Sequence, residues 1–268
     1  MRKQTGIAVL LGITALLFSS FPALAQDAPD LGTAGQFGVL GGSGVTGSPD
    51  PGTIVVGDVG SYPTASVTGF PPSSAPGFEV HLAADAIVQQ ARADTDAAYA
   101  DLAGRPGAVL LAAELAGETI FPGIYSFSSS ANIAANGLLT LSGDGIFIFQ
   151  VGSTLTANAL SNVIVIDGAD PCNVYWQIGS SATLNGATFL GNVLASASIS
   201  VDSNSDVSGK LLAGPEGAVT LAVGGNTVGG CVESVTPAPI PTLGFYGMAT
   251  LLILLAGAGL FLVGRLTF

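Results

Sequence analysis

Charge is what this chain has least of. Only 9% of its 268 residues are Asp, Glu, Lys or Arg, and Lys and Arg together number 6. Arg2 and Lys3 lie at the N-terminus and Arg265 near the C-terminus, so the long stretch between holds Arg92, Arg105 and Lys210 against all 18 acidic residues. A nucleic-acid partner needs a basic footprint that displaces condensed counterions, and three scattered cations supply none. The acidic excess serves solubility and repels like-charged surfaces. So few charges also exclude a chain built throughout from salt-laced amphipathic helices.

Reactive side chains are equally scarce. One His and two Cys give too few ligands, at the wrong spacing, for zinc. A β-helix lyase or hydrolase needs clustered carboxylates with a basic partner, or an acid pair. Asp167 and Asp170 are close in sequence, but beside Gly168 and Pro171 they shape a turn. Asp144 in Gly-Asp-Gly and Ser43 in Gly-Gly-Ser-Gly read as turn residues too, and His81 as a lone solvent-facing or lightly packed side chain near a helix start. The chain is therefore read as non-catalytic, with no cofactor and no metal.

What is abundant is glycine, at 38 residues, along with Ser, Thr, Ala and Val, a composition suited to many short strands and tight turns. The two ends differ from the middle. Arg2 and Lys3, the apolar run from Ile7 to Phe21 and the small-residue site Ala23-Leu24-Ala25 read as a signal peptide over residues 1–25. Residues 244–264 carry no charge and are followed by Arg265, which reads as a transmembrane helix with a basic stop. A stiff tether, Thr236-Pro-Ala-Pro-Ile-Pro241, precedes it. In an exported domain over residues 26–235, Cys172 and Cys231 are expected to form a disulfide. It would close a loop of about 60 residues, adding roughly 3–4 kcal/mol by the chain-entropy argument.

Within that domain, residues 78–103 lack glycine and place Val80, Ala84, Ile87, Ala91, Ala98 and Leu102 on one stripe, predicting a long Ala-faced helix that must lie against something flat. Gly104 and Pro106 stop it. Elsewhere the chain repeats. Phe189-Leu-Gly-Asn-Val-Leu-Ala195 returns 18 residues later as Val207-Ser-Gly-Lys-Leu-Leu-Ala213, the length of one solenoid coil. Five segments, Asn132-Ile-Ala134, Thr154-Leu-Thr156, Thr183-Leu-Asn185, Ser200-Val-Asp202 and Thr220-Leu-Ala222, alternate so that the middle residue enters the core and its neighbours point out. Ile146–Phe149, Val163–Ile166 and Val174–Trp176 are apolar on both faces and are expected to lie under the helix.

The ordered set of motifs over residues 31–231 resembles the bacterial and fungal ice-binding protein family. It comprises GVLGGSGVT at 38–46, GDVG at 57–60, VTGFPP at 67–72, AYADLAGRP at 98–106, GIYSFSSSA at 123–131, FIFQVGSTLT at 147–156 and NVYWQIGSSATL at 173–184. The resemblance implies a mainly β fold, a discontinuous right-handed β-helix of triangular section with one long helix alongside, and ice adsorption through a flat hydroxyl-rich face. Ice needs no reactive group. It needs a rigid, weakly hydrated lattice, and Thr supplies a methyl group that lowers hydration and a hydroxyl that holds ordered water. The expected ice-binding set is Asn132, Thr154, Thr156, Thr183, Asn185, Ser200 and Thr220, with Asp202 a poor member because a carboxylate is strongly hydrated. Ile240, Pro241, Thr242 and Leu243, followed by the apolar span, resemble a bacterial sorting signal that a membrane transpeptidase cuts and re-anchors. The chain departs from that pattern at Tyr246, where Trp is usual, and in its single terminal Arg, so permanent membrane anchoring stays open beside cleavage. The expected protein is a monomeric, exported, envelope-held binder of ice or ordered water. The alternative is a non-catalytic adhesin or matrix protein on the same scaffold.

Overall fold

The structure is a computed structural model that describes residues 26–231 except 187 and 203. The expected signal peptide (1–25), the tether and sorting motif (236–243) and the transmembrane segment (244–264) lie outside the described residues. No helix among those described is long and apolar enough to cross a membrane.

Short parallel strands stack into three sheets, of nine, seven and seven strands. The nine-stranded sheet runs in the order Val80–Leu82, Asp58–Ser61, Phe37–Gly41, Leu211–Ala213, Asn192–Ala195, Val174–Ile178, Phe147–Val151, Gly123–Phe127 and Val109–Leu110. The order is discontinuous in sequence. The two N-terminal coils sit on the last coil, with Val39 and Leu40 beside Leu211 and Leu212. Thr227–Gly229 likewise pairs with Ile54–Val56, and Ala218–Leu221 with Gly44–Thr46. The chain then returns along the nine-stranded sheet as the helix and restarts at the far end.

Alternation of side chains fills the lumen. Inward residues of all three sheets, among them Val39, Ile133, Leu155, Leu184, Val201, Val219 and Val228, form one buried cluster. An aromatic stack runs through it: Tyr125, Phe149, Trp176 and Phe189 lie with successive ring centroids 5.7, 4.1 and 5.3 Å apart. Trp176 is fully buried, so its indole N–H needs a partner, and it donates to the Leu190 carbonyl at 3.0 Å.

The 18-residue repeat is one coil. Val193, Leu194 and Ala195 pair with Leu211, Leu212 and Ala213. The recurring glycine marks a corner where successive coils touch: a Cβ on Gly209 would sit 1.9 Å from the Gly191 carbonyl oxygen, and one on Gly191 would strike Val174 and Trp176.

The helix spans Ala86–Gly104, shorter than the predicted 78–103, because Val80–Leu82 is a strand. Asp85 caps it, accepting from the Ile87 amide at 2.9 Å. Its 19 residues reach about 28 Å at 1.5 Å per residue, close to six strand spacings of about 4.8 Å. The buried stripe is Val88, Ala91, Arg92, Thr95, Ala98 and Leu102. Val80, Ala84 and Ile87, expected on it, are exposed, since the first two precede the helix and the true phase runs through Val88. The stripe packs on Leu40, Ile124, Ile148, Tyr175, Leu194 and Leu212 of the nine-stranded sheet.

Two further expectations are corrected. Val163–Ile166 does not lie under the helix; it belongs to another sheet, within the strand Asn162–Ile166, where Ile164 and Ile166 are exposed. His81 is buried, with Nδ1 2.5 Å from Asp85 Oδ2, Nε2 3.4 Å from Asp58 and its ring against Phe37. The hydrogen bond with His81 and that from the Ile87 amide hold the Asp85 carboxyl below its ordinary value.

All three cations of the domain are turned to internal use. Arg92 donates to the Ala213 carbonyl and Lys210 to those of Gly35 and Cys231, both side chains being buried. Arg105 ties Asp101 to the Asp27 carbonyl. The expected disulfide is present between Cys172 and Cys231, with Cα atoms 5.1 Å apart, and holds the last coil to the turn at Pro171–Asn173.

At the restart end, Glu114 blunts the exposed strand edge. Its carboxylate accepts from the amides of Ala116 at 2.8 Å and Ala134 at 3.0 Å, and from the Asn132 side chain. Burial raises its pKa, but these donors outweigh burial and the net value is lowered.

Two outcomes follow from this packing. Gly209→Ala is expected to cost roughly 1–3 kcal/mol through overpacking, read as a lowered thermal midpoint. Gly104→Ala, where an added Cβ meets nothing, is expected to be neutral or slightly stabilising. For Glu114, the folded pKa lies below the unfolded one, so its stabilisation is complete above the unfolded value of about 4.3 and is lost as pH falls through the folded value. Glu114→Gln should therefore lower stability at pH 7 and shrink the difference from wild type below pH 4, measured by urea unfolding at each pH.

Candidate ice-facing surface

One seven-stranded sheet, not covered by the helix, carries the expected ladder. Its order is Ala131–Ile133, Leu155–Ala157, Ala182–Leu184, Ile199–Val201, Ala218–Leu221, Gly44–Thr46 and Val67–Thr68. Strand pairing puts Asn132 beside Thr156, Thr156 beside Thr183, Thr183 beside Ser200 and Ser200 beside Thr220. It then continues from Thr220 to Thr46 and from Thr46 to Thr68. The residues flanking each of these on the first five strands are buried, so the column points outward from a fixed floor. Six steps of about 4.8 Å give a row of roughly 29 Å.

The column contains five of the seven expected residues: Asn132, Thr156, Thr183, Ser200 and Thr220. Thr154 lies one outward position to the side. Its neighbour is Ser130, with hydroxyl oxygens 2.8 Å apart, because Leu155 pairs with Ala131 and Ala182 and not with Leu184. A shift of two residues leaves the inward–outward alternation intact, so the pattern in the sequence did not reveal it. Asn185 falls on the opposite flank, one residue beyond the Leu184–Val201 pair, with Asp202 beside it on the next strand.

Asn132 is engaged at both ends of its amide, donating to Glu114 and accepting from Asn158 at 2.7 Å. It closes the sheet edge and is not available to a ligand. Thr46 and Thr68 were missed. They extend the row at the other end, where both are exposed and their hydroxyl oxygens lie 3.4 Å apart. The signal was present as Val-Thr-Gly at 45–47 and again at 67–69, but only the docking of the N-terminal coils on the last coil brings them to this sheet.

The usable row is Thr156, Thr183, Ser200, Thr220, Thr46 and Thr68, all hydroxyl-bearing and without a titratable group. The other uncovered sheet offers a rougher outward set, in which Thr188 and Thr227 alternate with Asp206, Leu138, Ile54 and Ile164. The residues that could suggest chemistry are used structurally. Asp170 accepts from the Cys172 amide, Asp167 from the Ser142 hydroxyl, and the Ser43 amide donates to Gly217 in a turn. Among the described residues no group of three or more His, Cys, Asp or Glu is placed to hold a metal ion.

Comparison with known proteins agrees with this geometry. The profile of the Ice-binding-like family matches residues 39–228. An ice-binding protein of Nostoc sp. (strain HG1) is 42% identical over 223 residues, covering 80% of this chain and 79% of that protein. One from Colwellia sp. is 32% identical over 253 residues, covering 89% and 97% respectively. The crystal structure of the ice-binding protein from the Antarctic ascomycete Antarctomyces psychrotrophicus superposes with a TM-score of 0.70 at 36% identity, covering 78% of this chain and all of that one. By the extent of the profile match, the identity of its relatives and its three-sheet architecture with one helix alongside, this chain belongs to the ice-binding-like family.

Proposed function

We propose that the protein adsorbs to ice, or to ice-like ordered water, through the hydroxyl row Thr156, Thr183, Ser200, Thr220, Thr46 and Thr68. The observation that carries the reading is the one-to-one register of that row across consecutive coils. Spacing along it is set by backbone hydrogen bonds and not by side-chain choice. Ice is periodic, so a surface whose groups already repeat loses little freedom on contact, and many weak contacts then act together. Threonine fits because its methyl group excludes loosely held water while its hydroxyl takes a place in the ordered layer. Asn185 and Thr154 flank the row. Adsorbed molecules hold the growing front in curved segments, which raises the cost of further growth.

Adsorption of this kind uses no nucleophile, base, cofactor or metal, and membership of the family places the chain among non-catalytic proteins. Trp176, Phe147 and Phe149, aromatic residues that a glycan adhesin could display, are fully buried, and the exposed Phe121 lies off the hydroxyl row. That favours the ice reading over the adhesin. Export through residues 1–25, retention at the envelope by residues 244–264 and processing at Ile240-Pro-Thr-Leu243 rest on sequence alone. We propose that they place a monomeric domain outside the cell.

The test is ice recrystallisation with the purified protein, each variant checked for folding by circular dichroism. Wild type should keep crystals small. Thr183→Tyr and Thr46→Tyr should each weaken the effect about tenfold in effective concentration, comparable to a loss of roughly 1.4 kcal/mol. Thr227→Tyr, on the other uncovered sheet, should leave it unchanged. Crystals that coarsen equally with and without wild type would refute ice binding. Loss in Thr227→Tyr with retention in Thr183→Tyr would move the surface to the other sheet. Asp202→Asn removes a hydrated charge from the flank and should raise activity, seen as a lower inhibitory concentration.

A further inference from the structure

A pocket of about 240 Å³ opens where the helix passes the corner between the nine-stranded sheet and the threonine sheet. Arg92 lines it, although only 4% of that residue is exposed. One terminal nitrogen, Nη1, donates to the Ala213 carbonyl. Nε is buried without a partner. Nη2 is 3.1 Å from Asp96 Oδ1, an ion pair that lacks hydrogen-bond alignment, and the Asp96 side chain is 53% exposed. Burial lowers the Arg92 pKa against the opposing pull of Asp96, yet a guanidinium stays charged across the working pH range.

A buried Nε without an acceptor is costly, and Nη2 beside it holds only the half-exposed Asp96, so the placement is specific. Nε and Nη2 form the side edge of the guanidinium plane, the edge that donates to both oxygens of one carboxylate in two parallel hydrogen bonds. The remaining walls include Tyr99, Ala195, Leu212 and Pro215, which are largely apolar. The volume is below the roughly 300 Å³ at which drug-sized sites begin. Asp96 is the resident competitor for the fork. Its side chain is half exposed and screened by solvent, so it can swing away from the guanidinium. A multiply charged anion would meet a single cation with Asp96 beside it, in a chain of net charge −12, which disfavours phosphate or sulfate.

We propose that this pocket binds a small monocarboxylic acid with an apolar body. The carboxylate lies on the Nε–Nη2 edge of Arg92, and the body rests against Tyr99, Leu212 and Pro215. The site is separate from the hydroxyl row and does not depend on ice binding.

Benzoate is the probe, titrated into the purified protein while the Arg92 Nε–H resonance is followed by NMR. Arg92→Lys identifies that resonance by its loss. Wild type should show a saturable shift with a Kd on the order of millimolar. Asp96→Asn, which removes the competitor and leaves the Ala213 contact in place, should tighten binding roughly three- to tenfold. Ser196→Trp, at the exposed mouth, should abolish it, and benzyl alcohol, which keeps the body but lacks the carboxylate, should not bind. No saturable shift in Asp96→Asn would overturn the proposal. So would undiminished binding in Ser196→Trp, or benzyl alcohol binding as well as benzoate. Ice recrystallisation by Asp96→Asn should equal wild type, which keeps this outcome distinct from that of the ice test.

Discussion

Parallel stacking of coils in register is the constraint on which everything else in this molecule depends. Each coil hydrogen-bonds to the next through three short strands, and none could hide its inward side chains alone. The stack buries a continuous apolar lumen and fixes the height of each coil at the strand spacing. Coils can approach that closely at their corners only where no Cβ intervenes, which is why Gly191 and Gly209 recur one coil apart. The same spacing lets Phe149 and Trp176 lie nearly parallel, 4.1 Å between centroids, as neighbouring rungs of one aromatic ladder.

The constraint also explains what could be read in the sequence and what could not. Alternation was legible because inward residues must be apolar on every coil: Ile133, Leu155, Leu184, Val201 and Leu221 were all placed correctly in the core. The 18-residue repeat was legible because corner glycine is irreplaceable. Register was not, since a slip of two residues preserves alternation, and Thr154 was set in a row that belongs to Thr156. Coil order was not legible either. Nothing local in Val45-Thr46-Gly47 says that it will lie beside Thr220; that follows from the N-terminal coils docking on the C-terminal one, a contact between segments more than 170 residues apart. The helix phase failed because Val80 and Ile87 obey helical spacing while Val80 is in fact strand; a short apolar segment satisfies either period.

Burial of the cations has a consequence for the surface. In a chain so poor in basic residues, a carboxylate partner in solvent gains little. Arg105 takes one in Asp101 and Arg92 one in Asp96, but the buried Arg92 and Lys210 bind backbone carbonyls across elements far apart in sequence. Lys210 joins the N-terminal segment at Gly35 to the end of the last coil at Cys231, beside the disulfide that secures the same coil. The junction that makes the fold discontinuous is thus tied by both a buried lysine and a disulfide. The uncovered sheets are left with no basic side chain among the described residues, and the hydroxyl row with no charge at all.

An uncharged row is not sufficient, because small polar groups on an ordinary loop would be equally uncharged and would still lose conformational freedom when they met a lattice. Here the row stands, on its first five strands, between residues that are buried, and its two ends are finished differently. At the restart end Asn132 is drawn into the Glu114 cap, so the row gives up its first position to close an edge. At the other end Thr46 and Thr68 continue it onto coils contributed by the opposite end of the domain. Closing one edge and extending the other have the same physical origin: each terminal strand must satisfy its backbone groups, with a carboxylate where no further coil follows and with docked N-terminal coils where they do. The length of the flat surface is therefore set by how the solenoid is terminated, and not by how many threonines the sequence contains.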